Sequence, residues 1–418
     1  MRLSNHGHVT PQIPWREFGE KFWRPLVQSA LKIEPTPFYI FALEPIRAGL
    51  AELDALSRSF SVPVRHWLSC KTQPLRPLLR WWQHQGRGIE VVSEFELQAA
   101  LREGFAPERI LVNGPAKHHW LPRHACAGLS VNFDSMAELK ALLPFAQKRR
   151  WRVGVRLLTG EEFDPENPAH PTQFGLAPSE ALQAIRILQK ARLQFDMVHF
   201  HLRTNVADAS IYDRALREAA SICRHARFQP RIVDCGGGWP PRQTFSREGE
   251  EFCAQFELPE LASLLQRRLK DFPGVEEVWF ENGRFLSARS GVLVVRILDV
   301  KERRGLRQCI CDGGRTLHAL VSHWERHRVF AVPARSGPRV ATKLCGPTCM
   351  AFDQLGCHSL PRALRDGDAL VWMETGAYHI PWETRFSHGQ AAVFWHDETR
   401  LRKVRAREPF PKWWSQWR

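Results

Sequence analysis

The stretch His66-Trp67-Leu68-Ser69-Cys70-Lys71-Thr72-Gln73-Pro74 brings an apolar, strand-like run to an end at Lys71. It belongs to a series of eight such runs that alternate with helical stretches, for example at 179–191 and 258–271. The runs cover residues 64–70, 89–93, 110–113, 129–133, 152–158, 197–202, 231–234 and 277–281. Eight strand–helix units over about 250 residues are typical of an α/β fold of the (β/α)8 TIM-like barrel type. The same coarse pattern is also compatible with an open doubly wound sheet.

The remainder of the chain follows a different pattern. From residue 292 onward it is rich in β-prone runs, at 292–300, 308–311, 328–332 and 369–373. These runs predict a C-terminal all-β domain, so we expect a barrel over residues 36–287 and a second domain over residues 288–418.

Length and composition indicate a folded enzyme subunit. The chain has 418 residues, of which 44% are hydrophobic and 25% charged, which is enough for a large core. No apolar run approaches the roughly 18 residues of a membrane helix, and the polar N-terminus lacks the apolar core of a signal peptide. We therefore expect a cytoplasmic protein with no membrane association. The ten cysteines are scattered without a disulfide framework and are interpreted as mostly reduced, buried thiols.

The net charge of +15 allows two interpretations. Residues 400–418 hold seven Lys or Arg residues against the single Glu408. A solvated basic tail is the simpler interpretation, and a docking surface for an acidic partner is the alternative. Nucleic-acid binding is not expected, because no recognisable binding module accompanies the charge.

Several polar residues fall at or near the ends of the predicted strands. They are Lys71, Glu90, His201, the glycines 236–238 and the segment 281–284. In (β/α)8 barrels the chemistry sits at the C-terminal ends of the strands. A lone lysine there would ordinarily be a solvated strand end, because lysine is common at surfaces. These residues are nevertheless the candidates for a functional site.

Four segments in one order resemble the pyridoxal-phosphate decarboxylases of the ornithine and diaminopimelate decarboxylase family, which have an alanine-racemase-like barrel. They are the Lys71 stretch, Asp234-Cys235-Gly236-Gly237-Gly238-Trp239-Pro240, Glu281-Asn282-Gly283-Arg284 and Gly376-Ala377-Tyr378. The resemblance runs over nearly the whole chain. It implies that residues 1–35 join the β domain and that the cofactor is pyridoxal 5'-phosphate.

The implied chemistry assigns a role to each matched residue. Decarboxylation leaves electrons at Cα, and a pyridinium ring is the sink that accepts them. Lys71 is the lysine that carries the cofactor covalently. Glu281 is the carboxylate partner of the ring nitrogen, although the family's proline after it is Asn282 here. The remaining cofactor contacts implied by the resemblance are Glu90, His201 (stacked on the ring), Gly236, Gly237, Gly238, Gly283, Arg284 and Tyr378.

Two histidine patterns suggest a metal, and neither is convincing. His199 and His201 share one face of a strand, but the sequence offers no third ligand. His323-Trp324-Glu325-Arg326-His327 has its glutamate in the wrong place for a zinc helix. We therefore predict no metal.

Cys349, in Gly346-Pro347-Thr348-Cys349-Met350, matches the cysteine that the family contributes from the neighbouring subunit and that helps to protonate the product. An isolated cysteine is more often a small buried hydrophobe. The preceding Gly-Pro-Thr favours the functional interpretation, which implies a homodimer with shared active sites.

The departures from the family concern the substrate. Where the family carries an acidic residue that reads a distal amine, this chain has Met350, and an apolar side chain cannot balance an ammonium. The arginine that reads a distal carboxylate is replaced near His318, and Arg203 follows His201 in place of a small residue. The substrate-binding candidates are Arg156, Arg203, Arg284 and Met350.

We therefore expect a pyridoxal-phosphate-dependent decarboxylase of a non-standard amino acid, in specialised biosynthesis. Siderophore intermediates and aminoacyl groups tethered to an acidic carrier protein are the expected substrates. An ordinary diaminopimelate, ornithine or lysine decarboxylase, an amino-acid racemase on the same barrel, and a catalytically silent relative are the alternatives.

Overall fold

The structure of the protein is a computed structural model that describes residues 17–163, 167–318 and 325–418. Its strands form a closed eight-stranded barrel, a nine-stranded sheet and a two-stranded ribbon. The predicted (β/α)8 barrel with an additional β domain is therefore confirmed.

The strands, in chain order, are β1 (Phe38–Ala42), β2 (Val64–Ser69), β3 (Ile89–Val91), β4 (Ile110–Val112), β5 (Ser130–Phe133), β6 (Arg152–Arg156), β7 (Gln194–His199), β8 (Ile232–Asp234), β9 (Phe245–Ser246), β10 (Glu277–Glu281), β11 (Gly291–Arg303), β12 (Leu306–Cys311), β13 (Glu325–Arg326), β14 (Val329–Val332), β15 (Arg339–Cys345), β16 (Gln354–Pro361), β17 (Ala369–Trp372), β18 (Ala392–His396) and β19 (Leu401–Arg405). The α-helices are α1 (Glu20–Leu31), α2 (Leu43–Ser57), α3 (Arg76–His84), α4 (Glu94–Arg102), α5 (Met136–Arg149), α6 (Pro178–Lys190), α7 (Ser210–His225), α8 (Leu258–Leu269), α9 (Gly283–Ser287), α10 (Arg315–His318), α11 (His379–Trp382) and α12 (Phe410–Trp414).

The barrel closes in the order β10-β2-β3-β4-β5-β6-β7-β8, and every neighbouring pair is parallel. Each of the eight predicted strands is present. Large side chains fill part of the interior, where the rings of Trp67 and Trp279 lie 4.7 Å apart. Gly154 faces this interior, because a Cβ there would lie 2.3 Å from Oδ1 of Asn132. The barrel is therefore a packed core with its chemistry confined to the strand ends.

The nine-stranded sheet has the order β16-β15-β12-β11-β1-β18-β19, and β17 links β11 to β14. Strand β1 pairs with β11 and β18 in this sheet. It does so although it lies within the range 36–287 that the sequence assigned to the barrel. A short apolar strand carries no signal of which sheet it will join, since that choice depends on distant partners. We propose that the barrel begins after Ala42.

The basic C-terminal segment is in part a paired strand and not a free tail, although most of its cations are exposed to solvent. Strand β19 pairs with β18, and Lys403 and Arg405 form ion pairs with Glu34 and Glu383. The last helix, α12, and the turn after it instead expose large aromatic side chains, those of Phe410, Trp414 and Trp417.

Among the described residues, no helix is long and apolar enough to cross a membrane. All ten cysteines are free thiols, and those at positions 349 and 357 are exposed.

A buried ion pair shapes the loop after β4. The Nζ atom of Lys117 lies 2.6 Å from Oε2 of Glu138 and 2.6 Å from the carbonyl oxygen of Gly114. Both side chains are completely buried. Glu138 also accepts hydrogen bonds from the backbone N–H groups of Lys117 and Asp134. The pair therefore connects the ends of β4 and β5, where the barrel carries its polar residues.

We expect Lys117→Met to lower the free energy of unfolding by about 3–5 kcal/mol, because it leaves a buried carboxylate without its cation. Urea unfolding followed by tryptophan fluorescence measures the change. Arg231→Met, which removes the partner of the exposed Glu276, is the control and should move the midpoint little. Equal effects of the two substitutions would contradict this account.

Candidate active site

Lys71 lies where β2 passes into a 3-10 turn, Cys70–Thr72. Its Nζ atom is 3.1 Å from Oε1 and 3.2 Å from Oε2 of Glu90. Glu90 lies in the middle of the neighbouring strand β3 and is fully buried. The pair occupies the C-terminal rim of the barrel.

The charge state of Lys71 depends on its neighbours. Burial alone lowers the pKa of a lysine, but the carboxylates of Glu90 and Glu281 raise the pKa of Lys71 above its usual range. The amine is therefore held as an ammonium, and it has to release a proton before it can act as a nucleophile.

Glu281 ends β10 and points into the same space. Its Oε1 accepts a hydrogen bond of 2.6 Å from Nδ2 of Asn113. Burial raises the pKa of Glu281, but His199, His201 and Lys71 outweigh that effect and bring it well below its usual range. The buried carboxylate is therefore ionised, as a partner of a protonated pyridine nitrogen must be.

A second buried pair supports Glu281 from within the barrel. Nδ1 of His199 lies 3.1 Å from Oδ2 of Asp234 and 3.7 Å from Oε1 of Glu281. Burial lowers the pKa of His199, and the two carboxylates raise it above its ordinary value. The sequence analysis found no third metal ligand beside His199 and His201, yet the carboxylates of Asp234 and Glu281 both lie close to these histidines. These carboxylates lie on β8 and β10, and the pairing of the barrel strands brings them next to the histidine at the end of β7.

The glycine segment after β8 has no room for side chains. Gly236 and Gly238 have φ values of +62° and +94°, in the left-handed region. A Cβ on Gly237 would lie 2.3 Å from the carbonyl oxygen of Glu281. The N–H groups of Gly236 and Gly237 donate to Asp234 and to Nδ1 of His201, at 3.1 Å and 3.2 Å. The second bond leaves the His201 ring with its proton on Nε2 when it is neutral.

Gly283 is equally confined. A Cβ on this residue would lie 2.5 Å from Cγ2 of Thr72 and 2.7 Å from Cβ of Ser69. The glycine therefore allows the start of α9 to pack against the turn that carries Lys71.

The β domain reaches the same turn through Tyr378. Its backbone N–H donates to the carbonyl oxygen of Thr72 at 2.8 Å, and Tyr378 has a φ of +67°. The Arg284 guanidinium lies 4.9 Å from the centre of the Tyr378 ring and pairs with Glu325 at 2.5 Å. Tyr378 and Arg284 are thus brought together near Lys71, whereas Glu325 is a partner that the sequence did not indicate.

The other substrate-binding candidates have partners within the chain. Arg156 pairs with Glu162 and lies 3.6 Å from Asp134. Arg203 lies over the ring of Phe163, at 4.7 Å from its centre, and donates to the carbonyl oxygen of Glu161. Both arginines are held at the rim, and their contact with a substrate stays a prediction.

Cys349 and Met350 lie in the turn between β15 and β16, where Cys349 is exposed and Met350 half-buried. Within the described chain, no hydrogen bond or ion pair connects either residue to Lys71. Their part in the site therefore stays a prediction that depends on a second subunit.

The geometry fits pyridoxal 5'-phosphate. An amine, an ionised buried carboxylate, a histidine ring and a glycine cradle converge at the C-terminal rim of a parallel barrel. The class of protein that this fold and site define is a pyridoxal-phosphate enzyme with an alanine-racemase-like barrel.

Comparison with known proteins gives the family. Residues 51–288 match the family model described as "Pyridoxal-dependent decarboxylase, pyridoxal binding domain". The chain belongs to this family of pyridoxal-phosphate-dependent decarboxylases, which are lyases that remove the carboxylate of an amino acid.

The curated relatives share only a low sequence identity with this chain. A diaminopimelate decarboxylase of Actinosynnema pretiosum subsp. auranticum is 28% identical over 328 residues, covering 74% of this chain and 72% of the relative. An L-glutamyl-[BtrI acyl-carrier protein] decarboxylase of Niallia circulans is 28% identical over 369 residues, covering 82% and 84%. The structure of diaminopimelate decarboxylase from Helicobacter pylori with L-lysine has a TM-score of 0.79 at 22% identity, covering 93% of this chain and 98% of that one. That structure confirms the fold.

We expect Glu90→Gln to shift the pH dependence of covalent cofactor attachment toward lower pH by about one unit or more. The carboxylate raises the pKa of Lys71, so its removal increases the fraction of neutral amine at a given pH. The rate at which the apoenzyme attaches pyridoxal phosphate, followed by absorbance from pH 6 to 10, measures the shift. Glu94→Gln, at the start of α4 beside Arg123, is the matched control. An unchanged profile for Glu90→Gln would contradict the coupling.

Proposed function

We propose that the enzyme removes the α-carboxylate from an amino acid whose distal end carries no free ammonium, such as an aminoacyl group on an acidic carrier protein or a siderophore intermediate. The observation that carries this proposal is the bonding of the loop Gly346–Asp353. The place of the family's amine-reading acid is taken by Met350, and Asp353 is the acidic residue that ends this loop.

The carboxylate of Asp353 is buried and holds the chain in place. Its Oδ1 accepts from the backbone N–H of Arg315 at 2.7 Å, and its Oδ2 accepts from the N–H and hydroxyl of Thr348 at 3.1 Å and 2.6 Å. Both oxygens are thus engaged. Asp353 is also only 3% exposed, so an ammonium arriving at this loop would have to displace the packed chain around the carboxylate to gain an ionic partner.

Pyridoxal phosphate, when bound, supplies the electron sink for decarboxylation. In our proposal Lys71 would hold it covalently, and the carboxylate of Glu281 would partner its ring nitrogen. His201 would contact the ring. Gly236–Gly238, Gly283, Arg284 and Tyr378 would bind its phosphate.

A proton has to return to Cα after carbon dioxide leaves. We propose that the thiol of Cys349 from the neighbouring subunit gives this proton, in a homodimer with shared active sites. The exposure of Cys349 on a loop fixed by Asp353 supports this role, because an exposed thiol on a fixed loop is accessible to a partner chain.

The carrier-bound class of substrate is supported by the relative from Niallia circulans, whose name gives a glutamyl group on an acyl-carrier protein as its substrate. The basic surface for such a carrier does not lie on β19, because Lys403 and Arg405 already have carboxylate partners. Lys412 and Arg418, beside the exposed Trp414 and Trp417, are the better docking candidates.

We expect the holoenzyme to release carbon dioxide from L-glutamate or another amino acid loaded on an acidic carrier protein, or from a citrate-conjugated amino acid. The free forms of ornithine, lysine and diaminopimelate should react at least about 100-fold more slowly, since neither Met350 nor the buried Asp353 balances their distal ammonium. Mass spectrometry of the products measures the difference, with Lys71→Ala as the inactive control.

Efficient turnover of a free diamino acid would instead indicate an ordinary decarboxylase. Exchange of deuterium at Cα with retention of the carboxylate would indicate a racemase. Cofactor binding without turnover across the panel would favour the silent relative.

Subunit mixing tests the shared site. Lys71→Ala and Cys349→Ala each remove one half of a site, so each homodimer should have little activity. In a heterodimer both substitutions fall in one site and leave the other intact. After exchange in equal amounts, we expect about a quarter of the wild-type activity to return. No recovery in a mixture that contains heterodimers would show that Lys71 and Cys349 act within one chain or that Cys349 is dispensable.

A further inference from the structure

Three buried histidines from separate segments meet next to the candidate site. His318 ends α10, His327 lies between β13 and β14, and His379 begins α11. One ring nitrogen from each lies within 4.8 Å of those of the other two. The three residues have exposed fractions of 1%, 4% and 0%. Such a group is unusual in a core, because imidazoles are only partly apolar and each needs partners for its nitrogens.

Two of the rings are oriented by backbone carbonyl groups. Nδ1 of His327 donates to the carbonyl oxygen of Met373 at 2.8 Å, and Nδ1 of His379 donates to that of Ala377 at 3.0 Å. A carbonyl oxygen only accepts, so both protons are on Nδ1. The Nε2 atoms of the neutral rings therefore present lone pairs, which is how histidine ligands are arranged around metals.

The lone pairs are not all satisfied within the chain. Nδ1 of His318 lies 3.3 Å from Nε2 of His379, while its Nε2 is buried and has no hydrogen-bond partner among the described residues. Nε2 of His327 lies 3.2 Å from Oε2 of Glu325. A neutral His327 would therefore place two acceptors against each other. A buried nitrogen without a partner costs about 1–3 kcal/mol.

We propose that His318, His327 and His379 bind a divalent transition-metal ion of the Zn²⁺ type, with Glu325 as the fourth ligand. Three imidazoles and a carboxylate are a common donor set for Zn²⁺, which binds nitrogen and oxygen at about 2.0–2.2 Å. No single local motif indicates this site, because its proposed ligands come from three separate segments of the chain.

His327 connects the cluster to a surface cleft, and Glu325 connects it to the candidate active site. A surface cleft of about 460 Å³ is lined by His327 and His358 together with Arg326, Arg328 and Arg339. Glu325, which lies beside His327, also pairs with Arg284, and Arg284 contacts the ring of Tyr378. The ion would therefore fix the carboxylate that positions Arg284. Its role is structural, and no step of the decarboxylation is assigned to it.

The competing explanation needs no metal. A doubly protonated His327 would donate to Glu325 and remove the conflict between the two acceptors. Within the described part of the cluster, Nε2 of His318 would then still lack a partner. The two explanations predict different metal contents for the purified protein, and metal content can be measured without any substrate.

The first experiment measures zinc in tag-free holoenzyme that has been incubated with Zn²⁺ and desalted. We expect about one ion per chain by elemental analysis, and a loss of at least about tenfold in His327→Ala and in His379→Ala. His358→Ala, a buried histidine of the same cleft outside the cluster, is the matched control and should keep its zinc. Cofactor content and thermal melting of each variant show whether it has folded.

A second readout uses the wild-type chain alone, in case the cluster variants do not fold. Co²⁺ bound by three imidazoles and a carboxylate should give strong visible absorption bands of a four-coordinate site. Less than about 0.1 ion per chain, weak six-coordinate spectra, or zinc retained in folded cluster variants would each overturn the proposal. None of these results depends on the identity of the substrate, so they test the metal site independently of the proposed function.

Discussion

The ionised carboxylate of Glu281 is the group on which the organisation of the site depends. A carboxylate at the end of a barrel strand, out of contact with water, would ordinarily bind a proton, because burial disfavours the charged form. Here the side chains of His199, His201 and Lys71 surround it and reverse that tendency. Asp234 contributes indirectly, because it raises the pKa of His199 and so favours the protonated form of that histidine next to Glu281. The barrel thereby offers a fixed negative charge where a pyridinium nitrogen requires one.

The position of Lys71 is set as much by the β domain as by the barrel. The turn that carries it is tied to the segment 376–378, because Nε2 of Gln73 donates to the carbonyl oxygen of Gly376 at 2.9 Å. The backbone bond from Tyr378 to Thr72 adds a second connection. A shift of one domain against the other would therefore move the reactive amine. The site is a property of the interface between domains and not of the barrel alone.

The barrel strands could be predicted because parallel strands buried on both faces are continuous apolar runs. The matched motifs likewise located Lys71 and Glu281. The features that the sequence did not reveal all depend on long-range pairing. Strand β1 looks like a barrel strand until its partners are known, and Glu325 looked only like a misplaced residue of a zinc motif. Its contact with Arg284 joins residues far apart in the sequence, and no local pattern specifies such a contact.

Substrate preference in this site depends on whether a carboxylate is accessible to the distal ammonium of a diamino acid. A diamino acid needs a carboxylate whose oxygens can turn toward its distal ammonium, and Coulomb attraction in a buried site rewards that contact strongly. Asp353 has the required charge, yet its oxygens hold Arg315 and Thr348 and so fix the loop that displays Cys349. Moving Asp353 toward a ligand would release the loop. Asp353 is also buried, so it offers a distal ammonium no accessible negative charge while the loop stays in place, and the side chain of Met350 carries no charge.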